Sequence, residues 1–105
     1  MIQVLWKDQG DGQTLQVTGH AGSAPAGEDL ICAGMTALVY ALGQTLEDRS
    51  ERLTRMPDIQ LSPGFARIRV RAKPGCRDLV REDFALVYHG AQLLAAHYPE
   101  CVAVL

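Results

Sequence analysis

The apolar pattern of this chain first changes period between His20 and Asp29, and that change sets its architecture. Up to His20 the apolar residues alternate. From Asp29 to about Asp48 they recur at steps of three and four. Period two belongs to a strand with one buried face, and the longer period to a helix with one buried stripe. A small-residue segment, residues 21–28, joins the two regimes.

On the strand side, Ile2, Val4 and Trp6 alternate with Gln3, Leu5 and Lys7, and Leu15 and Val17 alternate with Gln16 and Thr18. Gln9-Gly10-Asp11-Gly12 between them has the composition of a tight hairpin turn. On the helix side, Asp29 is suited to cap a helix start, because its carboxylate can accept from N–H groups two or three residues on. The helix is expected to run to about Asp48. Ile31, Met35, Leu38, Leu42 and Leu46 form its core stripe, which Leu30, Val39 and Ala41 widen. Asp29, Cys32, Thr36 and Tyr40 fall on one flank.

The same succession then repeats. Leu53 to Leu61 is read as a third strand with Ile59 and Leu61 inward, and Ser62-Pro63-Gly64 as a turn. Ala66, Ile68, Val70 and Ala72 alternate with Arg67, Arg69, Arg71 and Lys73 in a fourth strand. A second helix is expected from about Asp78 to His97, with Val80, Phe84, Val87, Ala91, Leu94 and Tyr98 on its buried face. Pro99 ends it. The β-prone tail from Cys101 can add a short last strand. The order β-β-α-β-β-α predicts an α+β two-layer sandwich: a mostly antiparallel four-stranded sheet with two helices packed on one face. At 105 residues the chain has room for one core, so one domain over 1–105 is expected.

Composition narrows the function. The formal net charge is −2, which gives no general pull toward nucleic acid or membrane. The three cysteines, Cys32, Cys76 and Cys101, are odd in number and lack CxxC spacing. That argues against a disulfide framework and a cysteine-based zinc site, and fits a reducing compartment. His89, His97 and Cys101 lack a completing carboxylate, so no metal is expected. No signal peptide is apparent, and the longest apolar-rich run, around residues 30–42, is read as falling short of a bilayer span. The expected location is the cytoplasm.

Chemistry is carried by Cys32 and His20. A thiol attacks carbonyls as its thiolate, and the first turn of a helix favours negative charge. An imidazole nearby can take the thiol proton and later deliver it to a leaving amine. The first N–H groups of the same helix are candidate oxyanion donors. The hydroxyl of Thr36, one turn on, is placed to reach the site. Each feature also has a plain structural explanation: a cysteine in an apolar helix is commonly a small buried hydrophobe, and a histidine at a strand end is commonly solvated. The loop Gly22, Ser23, Ala24, Pro25, Ala26, Gly27 is either a simple connection or a movable cover.

The stretches Gly19-His20-Ala21 and Gly27-Glu28-Asp29-Leu30-Ile31-Cys32-Ala33 resemble the bacterial ribosomal-processing cysteine protease family, Prp. The resemblance implies that His20 and Cys32 are the catalytic dyad. Asp29 matches the family's acidic residue, and Thr36 stands where members often carry serine. It further implies an endopeptidase that removes an N-terminal extension from a large-subunit ribosomal protein precursor, without a cofactor. A homodimer and a flexible loop over the site, at residues 22–27, also follow from it. The loop here carries no large side chain.

Two other readings remain. Arg67, Arg69, Arg71 and Lys73 on one strand face suit a non-catalytic ribosome-associated binding module. Direct nucleic-acid binding is not expected, because no aromatic residues are interleaved for stacking. A thiol redox sensor would use Cys32 without His20. Leu79, Leu86 and Leu93, seven residues apart, either widen the core or meet a partner subunit.

Overall fold

The computed structural model describes residues 1–22, 24 and 29–105. The elements follow in the order β1 (Ile2–Gln9), β2 (Gly12–Thr18), α1 (Leu30–Asp48), β3 (Asp58–Ser62), β4 (Phe65–Arg71), α2 (Arg77–His97) and β5 (Val102–Val104). They form the expected α+β sandwich, with both helices on one face of the sheet. The sheet has five strands, not four, in the order β3-β4-β2-β1-β5. Four are antiparallel neighbours, and β5 adds to β1 in parallel. The tail after Pro99 pairs because the Ile2 N–H donates to the Cys101 carbonyl and the Leu105 N–H to the Val4 carbonyl, both at 2.8 Å.

The alternation in β1, β2 and β4 has the expected phase. Ile2, Val4, Leu15, Val17, Ile68 and Val70 are buried under the helices. Gln13 shares that inward phase and is 1% exposed. Its amide is satisfied: Trp6 Nε1 donates to Gln13 Oε1 at 2.7 Å, and Gln13 Nε2 donates to Asp8 Oδ1 and to the Gly10 carbonyl. A buried polar group costs little when each partner is supplied, so this network closes the β1–β2 hairpin from within. The Trp6 ring also lies against Tyr88 of α2, with centroids 5.2 Å apart.

Helix α1 starts at its expected cap. The Ile31 and Cys32 N–H groups both donate to Asp29 Oδ1, at 3.1 and 3.0 Å. Ile31, Met35, Val39, Leu42 and Leu46 are buried, and Leu38 is partly so. Leu30 and Ala41 do not widen the stripe: both are exposed, Leu30 by 83%. The sheet is met by only one side of α1, and these two residues point away from it. The expectation that this run is too short for a bilayer is also corrected. By length and composition alone the 19-residue helix would suffice. Its stripe is committed to the core instead.

The second half shows three more differences. Leu53–Leu61 is not one strand: Ser50–Arg52 makes a 3-10 turn, Leu53 is buried in an isolated bridge to Ala72, and β3 begins at Asp58. Pro57, without an N–H, stands just outside the ladder. Leu61 faces the helix side but is 49% exposed, because the strand end runs beyond the cover of α1. On α2, Val80, Phe84, Val87 and Ala91 are buried as expected, whereas Tyr98 is 43% exposed at the C-cap, where the helical phase ends. Leu79, Leu86 and Leu93 are exposed and do not widen the core.

Two stability predictions follow from this packing. Phe84 is fully buried; Phe84→Ala should lose about 3–5 kcal/mol in urea unfolding. Asp29→Ala, which frees two N–H groups, should lose about 1 kcal/mol in the same measurement; an unchanged midpoint would deny the cap its energetic role.

Candidate functional site

The burial of the α1 stripe turns its neighbouring flank toward the β3–β4 hairpin. Cys32, Thr36 and Tyr40, each one turn apart, therefore line a cleft of about 480 Å³. The opposite wall is the hairpin from Leu61 through Ser62-Pro63-Gly64 to Ala66, and His20 closes one end after β2. The cleft is largely apolar, lined also by Met35, Val39 and Phe65. His20 and Cys32 thus open into one space, although twelve residues separate them in sequence.

Cys32 is half-buried and its thiol is free. The Ala21 N–H donates to Cys32 Sγ at 3.3 Å. The residue after His20 thereby ties the end of the first hairpin to the first turn of α1. Ala21 is buried, while His20 is exposed. Among the described residues no hydrogen bond joins His20 to Cys32. The imidazole instead lies on the backbone of Gly64: a Cβ added there would sit 2.7 Å from His20 Nε2.

The supporting residues take specific tasks. Asp29 Oδ1 holds the N–H groups of Ile31 and Cys32, and the Asp29 carbonyl accepts from the Ala33 N–H at 3.0 Å. These N–H groups were expected to be available to an oxyanion, but the cap engages them. Thr36 lines the cleft, yet its hydroxyl donates backward to the Cys32 carbonyl at 2.8 Å. This i to i−4 bond is common for threonine in helices, and it turns the hydroxyl away from the thiol. Of the loop, Gly22 and Ala24 are described; Ser23, Pro25, Ala26 and Gly27 lie outside the described residues, and the expected cover falls largely on them.

Sequence reasoning missed the hairpin wall. The Ser62-Pro63-Gly64 turn was legible, but nothing local says that it faces a helix start some thirty residues earlier. The basic strand face is in part engaged within the chain: Arg69 Nη2 lies 3.1 Å from Asp58 Oδ2, across the β3–β4 ladder. Among the described residues no group of three His, Cys, Asp or Glu side chains is placed to hold a metal ion.

Comparison with known proteins bears on the family and the fold. The family model described as cysteine protease Prp matches residues 1–102. No curated protein matches the chain. Among solved structures, the essential ribosomal processing protease Prp from S. aureus, with a covalently linked product peptide, superposes with a TM-score of 0.75 at 21% identity, covering 99% of this chain and 97% of that one. The same S. aureus protease with a substrate peptide gives 0.72 at 20% identity, covering 100% and 98%. SMU.848 from Streptococcus mutans gives 0.71 at 26% identity, covering 99% and 91%. The structural likeness establishes a shared fold, and the family match over nearly the whole chain establishes the class: this protein belongs to the Prp family of cysteine proteases.

Proposed function

We propose that this protein is the endopeptidase that removes an N-terminal extension from a large-subunit ribosomal protein, using Cys32 as nucleophile and His20 as general base and acid. The observation that carries the reading is the shared cleft: Cys32 and His20 both line one largely apolar groove of about 480 Å³. The processing role comes from the S. aureus relatives, which are described as ribosomal processing proteases and hold product and substrate peptides.

In this mechanism His20 takes the Cys32 proton as sulfur attacks the scissile carbonyl carbon. The carbonyl π electrons move to oxygen. Collapse expels the amine, which receives the proton from His20, and leaves a thioester on Cys32. Water, deprotonated by the same imidazole, then releases the acid. Asp29 acts by holding the first turn, and with it the thiol, in place. Since Asp29 engages the Ile31 and Cys32 donors, the Ala21 N–H beside the sulfur is the best-placed oxyanion donor among the described residues. Met35, Val39, Leu61 and Phe65 favour an apolar side chain in the bound peptide.

The remaining expectations belong to the same proposal. Residues 1–105 act as one cytoplasmic domain. The chain pairs with a second copy, for which the exposed Leu79, Leu86 and Leu93 on α2 supply an apolar surface.

Incubation with the extended ribosomal-protein precursor, read by mass spectrometry, tests the chemistry. Cys32→Ala should abolish cleavage while keeping the parent's circular dichroism. His20→Ala should slow it by about 10²–10⁴-fold. Turnover by folded Cys32→Ala would end the mechanism; normal turnover by His20→Ala would remove the imidazole from it. Iodoacetamide labelling at neutral pH adds a substrate-free check: Cys32 should label faster than Cys76 and Cys101, and lose that lead in His20→Ala.

A further inference from the structure

His20 makes no hydrogen bond among the described residues, and its ring lies against the backbone of Gly64. A Cβ on Gly64 would meet three ring atoms at once: Nε2 at 2.7 Å, Cε1 at 3.3 Å and Cδ2 at 3.4 Å. Real Cβ atoms do not approach so closely, so any side chain at 64 must displace the imidazole or the turn. The same residue also anchors the backbone beside His20. The Gly19 N–H donates to the Gly64 carbonyl at 2.8 Å. Gly19 itself has φ +93°, and a Cβ there would run into the Met1 carbonyl. Residue 19 is therefore held from two sides, by Met1 and by Gly64, and His20 leaves it in one direction.

We propose that Gly64, at the tip of the β3–β4 hairpin, is a positioning residue for His20. Its missing side chain forms the seat of the imidazole, and its carbonyl fixes the backbone from which the imidazole projects. The hairpin tip is thus part of the catalytic arrangement as well as a turn. This rests on the reading of His20 as the general base. A ring displaced by a Cβ would sit on the order of 1 Å from its place, enough to lower rates as much as a hundredfold in a positioned pair.

Gly64 has φ +72°, so Gly64→Ala also strains the backbone. Gly10 supplies a matched control: its φ is +73°, and a Cβ there meets nothing within 4 Å. Both variants place alanine at nearly the same positive φ, and only at Gly64 does the added Cβ meet His20. The His20 ring resonances should move in Gly64→Ala and stay in place in Gly10→Ala, read by NMR with assignment from His20→Ala. The iodoacetamide rate of Cys32 should fall about tenfold or more in Gly64→Ala, toward that of His20→Ala, with Gly10→Ala near the parent. Gly64→Asn, which tolerates positive φ and still carries a Cβ, repeats the test with less backbone strain. His20 resonances at their parent positions in these variants, or a Cys32 rate equal to that of Gly10→Ala, would overturn the seat. An unchanged Cys32 rate in His20→Ala would instead overturn the general-base reading beneath it, and the NMR shift would still report whether Gly64 seats the ring.

Discussion

The docking of one helical stripe onto the sheet governs where everything else in this protein can lie. Ile31, Met35, Val39, Leu42 and Leu46 occupy one side of α1 and are buried together. Once that side is committed, the remaining directions around the helix are determined by its geometry, since successive residues turn by about 100°. Cys32, Thr36 and Tyr40 must then face along the sheet surface and not into it. They meet the β3–β4 hairpin across a gap that, among the described residues, no side chain fills, and that gap is the cleft. The apolar character that would let α1 pass for a membrane span is used here to hold a reactive flank at a defined angle.

The start of the same helix shows two demands resolved by one side chain. A helix N-terminus offers free N–H groups, and these can stabilise an anion or secure the helix itself. Asp29 engages the Ile31 and Cys32 donors, so in this protein the N-terminus is secured. The thiol gains a fixed platform, and its nearest backbone donor comes from Ala21, outside the helix. The proposed catalytic geometry is therefore assembled from three separate pieces: the helix start, the end of the first hairpin and the tip of the second. The first hairpin is held at its turn by the Gln13 network.

The regular elements were legible because each is recorded locally. Alternation placed Ile2, Val4, Leu15, Val17, Ile68 and Val70 on the helix side of the sheet, and the 3.6-residue period placed the α1 and α2 stripes. Asp29 could be named as a cap from its chemistry and place. The errors lie at the margins of these stripes. Leu30 and Ala41 flank the α1 stripe on a side the sheet does not meet, and Tyr98 stands at the C-cap, where the helical phase ends. Leu61 has the phase of a core residue and instead becomes a cleft wall. Gln13 has the phase of a core residue and the wrong polarity, and only its contacts with Trp6 and Asp8 explain its burial.

The linear order of residues by itself determined the two candidate reactive groups, the cap that precedes one of them, the two-layer architecture and, through the Gly-His-Ala and Asp-Leu-Ile-Cys stretches, the family. Those features depend on chemistry within a few residues or on a repeating period. Tertiary structure alone decided that the flank of Cys32, Thr36 and Tyr40 faces the β3–β4 hairpin, that the Ala21 N–H reaches Cys32 Sγ, and that His20 rests on Gly64, forty-four residues away in the chain. Each of these depends on which atoms come within a few ångströms across separate elements. That is decided by how a helix and two hairpins share one core, which no local pattern encodes.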